Sequence, residues 1–542
     1  MVHQDVLRID EQAERDRFVD KIVELAPAAA ALQEELGRNL LEMAAGTLTK
    51  RGSDGDKTTD VLAVVRPACS MLFVADDPQR TPYVDIKVGD HRETHPIEGE
   101  SFRGHVRSLY YRARSRALAE AVARDVQATL AAEARESGKK CRVCVRVATH
   151  GRTVLLDLCN ERWEVVEVDA EGFRVLAAAP DDIRFKRSPS MNALPTPADE
   201  SGASIDLLRG FLRCRTENDF VVTVSWLVAS LRGRKPLPIM VLSGEQGSGK
   251  SSHCRALQEL VDPSSLGLDS LPRDERNLMI AAKSTWLLAY DNVSTLPDWL
   301  SDAMCRISTG AGWRTRKNYA DEEFVAFSGV RPQLLNGIPD FVSRPDFADR
   351  AIVIKLAPFE PGARVSEDEF WREFNAAKPQ ILAALLVGVS TALAREGEIE
   401  LPDRPRMADF TEVATAAEVA FGWEEGTFLK AYQANQRDSV EALLAVDPVA
   451  EAVRKLVGDR GRWEGTATEL LREIECLGLP KSLLLSKQWP RTAEALGGHL
   501  RRIKPSLEQS GIKLEAGRSA HKRVIRITGT DQPDQKTLDD LQ

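Results

Sequence analysis

The chain has 542 residues, of which 43% are hydrophobic and 29% are charged, and its net charge at pH 7 is −9. A chain of this length exceeds a single hydrophobic core, so we expect a globular protein of three or four domains. The negative charge excludes indiscriminate binding to nucleic acid or to an acidic membrane, but it leaves room for a local basic site.

The eight cysteines are scattered along the chain, which predicts reduced thiols in a cytoplasmic protein. Cys141 and Cys144 have the spacing of metal ligands, but they lie in the alternating stretch CRVCVRV. We interpret them as strand residues, with a metal or redox pair as the alternative. The longest apolar run, Ile381–Ala394, is shorter than the roughly 20 residues that cross a bilayer. It is expected to form a buried helix, and no membrane partner is expected.

The first half of the chain is divided by changes in composition. Residues 1–50 have helical periodicity and predict an N-terminal helical segment. Residues 60–187 predict an α+β accessory module, in which strand candidates surround one long helix from Arg112 to Ala134. Residues 188–204 are rich in Pro, Ser and Asn and are interpreted as a linker. Strands then alternate with helices over residues 205–360, which predicts a parallel sheet.

The stretch IMVLSGEQGSGKSS has the spacing of a P-loop between a strand and a helix. Glycines let the backbone curl around a phosphate so that its N–H groups point inward at a helix N-terminus. Lys250 would reach the β- and γ-phosphates of ATP, and Ser251 would coordinate Mg²⁺. An ordinary glycine-rich turn is the alternative. The residues assigned to nucleotide binding are Gly244, Gln246, Gly247, Ser248, Gly249, Lys250, Ser251 and Ser252.

Polar residues follow the next strand candidates of the same region. In WLLAYDNVS, Asp291 follows the apolar residues and is predicted to hold Mg²⁺ with Ser251. The alternative is that Asp291 ends the strand and caps the next turn. Within PQLLNGIPD, the strand candidate ends at Asn336. An amide at this position would point into the ligand crevice and orient the attacking water. Arg350 begins another apolar strand and could contact a neighbouring subunit's γ-phosphate. Arg344 competes for that role, and either arginine could instead pair with a nearby aspartate.

The remainder is predicted to be helical over residues 361–445 and to form a winged helix-turn-helix over residues 446–528, before a disordered tail at 529–542. Asp447 is a predicted N-cap, Gly458 a predicted helix stop and Thr466 the start of a capping box. The stretch from Leu496 to Thr528 contains eight Lys or Arg residues and two acidic residues, which gives a local net charge of +6. This favours contact with duplex phosphates, with a protein-interaction surface as the alternative. The predicted DNA contacts here are Arg501, Arg502, Lys522 and Arg523.

These motifs, in this order, resemble the superfamily 3 helicases of the AAA+ ATPases, and most closely the helicase half of phage, plasmid and integrated-element primase–helicases. The resemblance rests on VLSGEQGSGKSS, SLPRDERNLMIAAKSTWLLAYDNVS, LPDWLSDAMCRISTGAGWRTRKNY, RPQLLNGIPD and RPDFADRAIVIKL, and upstream on HRETHPIEGESFRGHVRSLYY, LLDLCNERWEVVEV and FKRSPSMNALPTP. It spans roughly residues 60 to 430.

The resemblance implies a homo-oligomeric ring, commonly a hexamer, with ATP between subunits and single-stranded DNA in the central pore. Lys317, with Arg316 and Arg314 beside it, matches the pore residues of that family. Asn292 departs from relatives that carry Asp or Glu after the first acid, which predicts slower hydrolysis because an amide cannot accept a proton from water. Asp85 lacks the second carboxylate of a two-metal polymerase site, so a primase domain is not expected and a separate primase is a possible partner.

The expected fold is therefore multidomain, with an α/β P-loop NTPase core of the AAA+ type between an α+β N-terminal module and a C-terminal helical region ending in a winged helix-turn-helix. The expected function is ATP-dependent DNA unwinding or translocation in the replication of a phage or mobile element. ATP and Mg²⁺ are the expected cofactors, and the expected catalytic residues are Lys250, Asp291, Asn292, Asn336 and Arg350. The alternative is a slow, ATP-switched DNA-binding assembly with a regulatory or phage-defence role.

Overall fold

The computed structural model describes residues 57–245, 247–316, 324–327, 329–337, 342, 344–359, 365–401, 407–480, 484–486, 489–519 and 522–529. The N-terminal helical segment and nearly all of the predicted tail therefore lie outside the described residues. The chain divides into a small unit, Met1–Pro67 with Val106–Val126, and a large unit, Ala68–His105 with Gln127–Gln542.

The small unit is helical in its described part. Helix α1 is Lys57–Val65, and two further helices, α2 (Glu100–Arg114) and α3 (Glu120–Glu136), each contribute part of their length. Val61 and Val106 are fully enclosed. The prediction of one long helix from Arg112 to Ala134 is wrong, because Ser115 adopts a φ of 52° and ends the first helix.

Two sheets form the accessory part of the large unit. The strands are β1 (Cys69–Ala75), β2 (Pro82–Val88), β3 (His91–Pro96), β4 (Lys140–Cys144), β5 (Val147–His150), β6 (Thr153–Asp157), β7 (Val165–Asp169), β8 (Gly172–Leu176) and β9 (Ile183–Phe185). One sheet has the order β3-β2-β1-β4-β9 and the other β5-β6-β7-β8. The run CRVCVRV is divided between the two sheets, because Arg146 turns the chain at a φ of 58°.

The segment 188–204 is hydrogen-bonded along its length. The N–H groups of Asn192 and Leu194 donate to the carbonyls of Pro263 and Leu158, both at 2.9 Å. Those of Ala198 and Ser204 donate to the carbonyls of Pro379 and Gln380 at 3.1 and 3.2 Å. The stretch that composition marks as a linker is therefore bonded to elements on both of its sides.

The large unit also contains a four-stranded parallel sheet. Its order is β11-β14-β10-β15, and every neighbouring pair is parallel. The elements of this region are α4 (Glu217–Arg232), β10 (Ile239–Ser243), α5 (Lys250–Val261), α6 (Glu275–Ser284), β11 (Leu288–Val293), α7 (Asp298–Thr309), β12 (Trp313–Arg316), β13 (Phe324–Phe327), β14 (Gln333–Gly337), α8 (Pro345–Ala348) and β15 (Ala351–Lys355). Strand β10 is buried throughout, as its unbroken apolar run requires.

Three helices follow the sheet: α9 (Glu367–Arg395), α10 (Ala408–Ala417) and α11 (Thr427–Val446). The side chain of Asn435 on α11 bonds both the N–H and the carbonyl of Val353 and so covers the edge strand β15. Helix α9 is the single described helix long and apolar enough to cross a bilayer, and 72% of its most apolar window is buried inside the protein. The prediction of a buried helix at Ile381–Ala394 is confirmed.

The C-terminal part has the order α12 (Pro448–Arg460), β16 (Arg462–Gly465), α13 (Ala467–Glu475), α14 (Ala493–Gln509), β17 (Ile512–Ser519) and β18 (Lys522–Gly529). Its strands form an antiparallel sheet in the order β16-β18-β17. The Asp447 N-cap and the Thr466 capping box are confirmed. The predicted stop at Gly458 is wrong, because the helix continues to Arg460 and ends at Gly461, whose φ is 69°. The chain is thus a multidomain α/β protein with mixed sheets and helices.

Candidate functional site

The glycine-rich loop joins the carboxyl end of β10 to the first turn of α5. Gly247 and Gly249 adopt φ values of 80° and 75°, a conformation that other residues rarely adopt. A Cβ on Gly249 would lie 3.0 Å from the ring of Phe359 and 3.1 Å from that of His253. The loop is therefore held in a tight curl that admits no side chain at this glycine. Gln246 lies outside the described residues.

Two residues far apart in sequence meet beside this loop. The hydroxyl of Ser251 donates to Oδ1 of Asp291 at 2.9 Å. Lys250 turns back over the loop, and its ammonium donates to the carbonyls of Gly244 at 2.9 Å and Glu245 at 2.8 Å. The structure thus places a hydroxyl, a carboxylate and an ammonium group together at the helix N-terminus, where the helix dipole favours an anion.

Asn336 connects the third strand to the same place. It is 99% buried on β14, opposite Leu242 in the register with β10. Its Oδ1 accepts the backbone N–H of Asn292 at 2.8 Å. Among the described residues, its Nδ2 has no partner beyond the thiol of Cys254, which is a weak acceptor. One buried donor of this side chain is therefore left for another group.

Asn292 differs in its backbone from the rest of β11. Its φ is 54°, and the register between β11 and β14 is irregular between Tyr290 and Val293. Its side chain is exposed, so its contact with Asn336 is made by the main chain. Asparagine adopts this left-handed conformation more readily than most residues. The local backbone therefore gives a physical reason for an asparagine after the acid.

Burial keeps the neighbouring titratable groups neutral. It raises the pKa of the Cys254 thiol and lowers the pKa of His253. The Nδ1 of His253 lies 2.7 Å from the carbonyl of Gly249, so this nitrogen donates and the ring supports the loop. Burial also raises the pKa of Tyr290, with the nearby charge of Asp269 adding to the effect. His253, Cys254 and Tyr290 therefore favour their neutral forms.

A cavity of about 740 Å³ adjoins the loop. Its walls come from residues 209–217, from the first turn of α5, and from Phe359 and Phe370. The guanidinium of Arg213 lies 4.7 Å from the centre of the Phe359 ring and donates to the carbonyl of Pro358 at 3.0 Å. Sequence reasoning missed this wall, because its residues carry no motif and are brought to the loop only by the tertiary fold.

Of the two candidate arginines, Arg350 lies away from the loop. Arg350 precedes β15, and its carbonyl accepts the N–H of Ile239 at the amino end of β10. In the register of β10 with β15, Arg350 lies six residues, or about 20 Å, from the level of Gly244 along the strand direction. The guanidinium of Arg350 is paired with Asp346, and that of Arg344 with Asp302 at 2.8 Å. Within one chain, Arg350 therefore lies at the opposite edge of the sheet from the loop.

Two family models match the chain. The model of the actinomycete integrative conjugative element replication protein matches residues 205–441, and that of the AICE RepA C-terminal domain matches residues 449–537. The first covers the loop, the parallel sheet and the helices after it, and together the two cover more than half of the chain. Both models describe parts of one replication protein, and the chain is similar to that protein over both matches. It is therefore a replication protein of a mobile element.

Solved structures of the C-terminal region of NrS-1 are similar to the replication protein at low identity. An apo A form has a TM-score of 0.37 and 12% identity, covering 87% of this chain and 99% of that chain. A structure of residues 305–718 in the A form has a TM-score of 0.33 and 11% identity, covering 87% and 98%. No conclusion about function follows from likeness at this level. No curated protein matches the chain.

Two of the three predicted pore residues of the replication protein lie on a paired strand. Arg314 and Arg316 are on β12, which pairs in antiparallel register with β13. Lys317 lies outside the described residues. A β12–β13 hairpin between the Asp291 strand and the Asn336 strand is therefore described in its paired part, and its tip is not described.

The basic residues at the carboxyl end of the replication protein differ in their surroundings. Lys504, Lys513 and Arg526 form ion pairs with Glu508, Glu515 and Glu464. Arg501 and Arg502 are exposed on α14, and Arg523 is exposed on β18. Lys522 is paired with Ser519 in the backbone register of the hairpin.

Arg518 extends this basic surface, although it was not among the predicted contacts. It is exposed and lies directly opposite Arg523 in the register of β17 with β18. No ion pair between either arginine and an acid is found among the described residues. Like charges directly opposite in a hairpin are destabilising, so an external anion would relieve their repulsion.

Proposed function

We propose that this replication protein is an ATP-dependent DNA translocase or helicase of the superfamily 3 type, built on a P-loop core of the AAA+ kind. The observation that carries the proposal is the hydrogen bond between Ser251 and Asp291 at the N-terminus of α5. A hydroxyl and a carboxylate oxygen at this position are the ligands that Mg²⁺ takes when it is bound with nucleotide phosphates.

The residues present fit ATP and Mg²⁺. Ser251 and Asp291 would hold the metal, and Lys250 would leave the loop carbonyls to contact phosphate oxygens. The cavity beside the loop, with Phe211, Phe359 and polar neighbours, has the size and mixed lining of a small-molecule pocket and would take the base. Bound Mg²⁺ would neutralise charge on the phosphates. The protein's own residues would fix their position.

Asn336 is proposed to sense the γ-phosphate or the attacking water. In the described part of the chain its buried Nδ2 has no good acceptor, and an unsatisfied buried donor costs about 1–3 kcal/mol. A ligand oxygen at that position would remove this penalty. Because Oδ1 is fixed by the N–H of Asn292, the amide would respond to the ligand without rotating.

The position of Arg350 supports a homo-oligomer, and we propose a ring, commonly a hexamer in this superfamily. An arginine about 20 Å from its own loop can act on phosphate only at a neighbouring subunit's site. Single-stranded DNA would pass Lys317, Arg316 and Arg314 in the central pore. The order of helices and strands after Asp447 supports a winged helix-turn-helix, which would bind duplex DNA through its basic surface. A separate primase is a possible partner.

The alternative is a slow, ATP-switched DNA-binding assembly. One observation favours it: Asn292 supplies no carboxylate after the acid, and its left-handed backbone suits asparagine rather than glutamate. Nucleotide would then set the oligomeric state, and little DNA would be unwound.

ATP turnover and strand displacement on a forked substrate would test the proposal. We expect turnover that single-stranded DNA stimulates, and a loss of at least about 100-fold in the Lys250→Ala and Asn336→Ala variants, since each removes charge stabilisation or positioning. Lys430→Ala, an exposed lysine on α11, is the matched control and should turn over normally. Turnover that ignores DNA, without displacement of the annealed strand, would instead support the slow switch.

A further inference from the structure

Strand β3 in the large unit presents two chemically different faces. Thr94 donates to Oδ1 of Asp85 at 2.7 Å, and Arg92 lies 3.7 Å from the same carboxylate. Because side chains alternate along a strand, His91, Glu93 and His95 share the opposite face. The motif HRETH therefore gathers two imidazoles and one carboxylate on a single side of the sheet.

Helix α2 adds a third imidazole to this group. Nε2 of His105 lies 3.5 Å from Oε2 of Glu93, and Nε2 of His95 lies 3.0 Å from the same oxygen. Nε2 of His91 lies 3.3 Å from the other oxygen of Glu93. The ligand atoms of Glu93, His95 and His105 all lie within 4.8 Å of one another. Three rings from two elements thus direct the same nitrogen atom at one carboxylate.

We propose that Glu93, His95 and His105, with His91 as the fourth ligand, bind one Zn²⁺ ion. A tetrahedral zinc with bonds of about 2.0–2.1 Å places neighbouring ligand atoms about 3.3 Å apart, close to the separations found here. Imidazole and carboxylate are ligands that zinc favours, whereas Mg²⁺ and Ca²⁺ take oxygen ligands.

The surroundings suit a structural ion. Exposure of the side chains runs from 13% for His95 to 30% for His105, so an ion could enter yet be shielded once bound. The chain holds only eight histidines, and three of them meet here, which is unexpected for a surface without a common ligand. Four protein ligands leave no open position, so the ion would join β3 to α2 rather than catalyse a reaction.

Without a metal, the three rings would each have to donate a proton to the one carboxylate. Zn²⁺ instead accepts a lone pair from every nitrogen and offsets the negative charge of Glu93. The two arrangements need the same residues in the same places, and they differ in what a glutamine can replace. A glutamine at His105 keeps a hydrogen-bond donor but is a poor zinc ligand.

Zinc binding by the full, untagged chain would test the proposal. After removal of metal with a chelator, Zn²⁺ would be titrated against a chromophoric indicator, without ATP and with excess Mg²⁺ to occupy sites for hard ions. We expect one Zn²⁺ per chain, and an affinity at least about 100-fold lower in His95→Ala, His105→Ala and His105→Gln. Co²⁺ should give the visible absorption of a tetrahedral site in the unmodified chain alone.

His150→Ala is the matched control, because His150 also lies beside an acid, Asp182, but outside the cluster. Its affinity for Zn²⁺ should be unchanged. Far-UV circular dichroism would confirm that each variant folds, and His105→Gln tests the metal even if the alanine variants unfold. Binding that survives in His105→Gln, or an unmodified chain that binds Zn²⁺ no better than it, would overturn the proposal and leave a hydrogen-bonded cluster.

Discussion

Asn292 shows how one backbone angle constrains the choice of a side chain. At a φ of 54° the Cβ of any residue except glycine comes close to the following carbonyl, at a cost of about 1–2 kcal/mol that asparagine tolerates better than glutamate. The contact that Asn292 makes with Asn336 uses the main-chain N–H, so any residue tolerating this angle could make it. The asparagine is therefore explained first by conformation, and its effect on the hydrolysis rate is a separate question.

We expect Asn292→Gly to retain ATP turnover within a factor of about two, because glycine adopts this angle without strain and keeps the N–H. Asn292→Glu should lower the melting temperature by a few degrees and should not raise turnover, since strain displaces the new carboxylate. Steady-state ATPase assays and calorimetry would measure both. A glycine variant that loses most of its activity would show that the amide itself acts on the water.

Lys186 carries a charge in an unfavourable place. Burial, and then the charges of Arg331 and Lys283, lower its pKa to about 8. The folded protein therefore binds this proton less well than the unfolded chain, whose lysine pKa is about 10.4. Below pH 8 the full penalty is present, and it disappears as the pH rises towards the unfolded value.

Lys186→Met should therefore stabilise the protein at pH 7 by an amount on the order of 1–2 kcal/mol, after allowance for partial exposure. The gain should shrink between pH 8 and pH 10, because the unmodified chain recovers stability there. Melting temperatures of both proteins across this range would measure the effect. Lys139→Met, at an exposed position, is the control. A gain that is constant with pH would contradict the assignment.

At the scale of elements, the far end of α5 is fixed by a buried ion pair. Arg146 is completely buried and donates to Oδ1 of Asp262 at 2.8 Å, while Oδ2 accepts the backbone N–H of Trp286 at 2.7 Å. The same guanidinium donates to the carbonyls of Asp157 and Asn192. One carboxylate thus joins the helix that begins at the glycine loop, the start of β11 and the accessory sheet.

Removing either partner should be strongly destabilising. We expect Arg146→Met and Asp262→Asn each to cost about 3–5 kcal/mol, because the remaining group is buried without its partner. The double variant should cost about 1–3 kcal/mol less than the sum of the two. Calorimetric unfolding of the four proteins gives this cycle. The exposed pair of Arg454 with Glu441 is the control, with an expected coupling of about 0–1 kcal/mol.

The sequence predicted those features of the fold and the site that depend on residues close together in the chain. Local patterns predict the loop glycines, the Thr466 capping box and the buried stretch of α9. The contact between Ser251 and Asp291 was predictable because the carboxyl ends of parallel strands meet at the same edge of a sheet. The sequence could not predict contacts that only tertiary structure creates. Arg146 turns the chain because its side chain reaches Asp262, 116 residues away, and the wall of the cavity has no local signal.

At the scale of the whole molecule, charge is unevenly distributed. The chain is −9 in total, yet the stretch from Leu496 to Thr528 is +6. The structure refines that count, because three of its basic residues are neutralised by acids whereas Arg518 and Arg523 face each other. The β17–β18 hairpin is therefore the part of this stretch where a bound anion would offset the most charge repulsion.

Arg518→Ala and Arg523→Ala should each weaken duplex binding and lower the slope of log affinity against log salt by about 1, as loss of one phosphate contact requires. Fluorescence anisotropy at several salt concentrations would measure both quantities. Arg526→Ala is the control, because Glu464 already pairs with that residue, and its slope should change less. The double variant should melt no lower than the unmodified chain, since a repulsion is removed.

The hydrogen bonds of residues 188–204 have a consequence for dissecting the protein into fragments. A fragment that starts at residue 205 would take away the N–H groups that donate to Pro263 and Pro379, and would uncover the pocket that Leu194 fills. A fragment that stops at residue 187 would lose the donor to Leu158. The stretch that composition marks as a linker is bonded to both of its neighbours, so a soluble, well-behaved fragment should carry it whole.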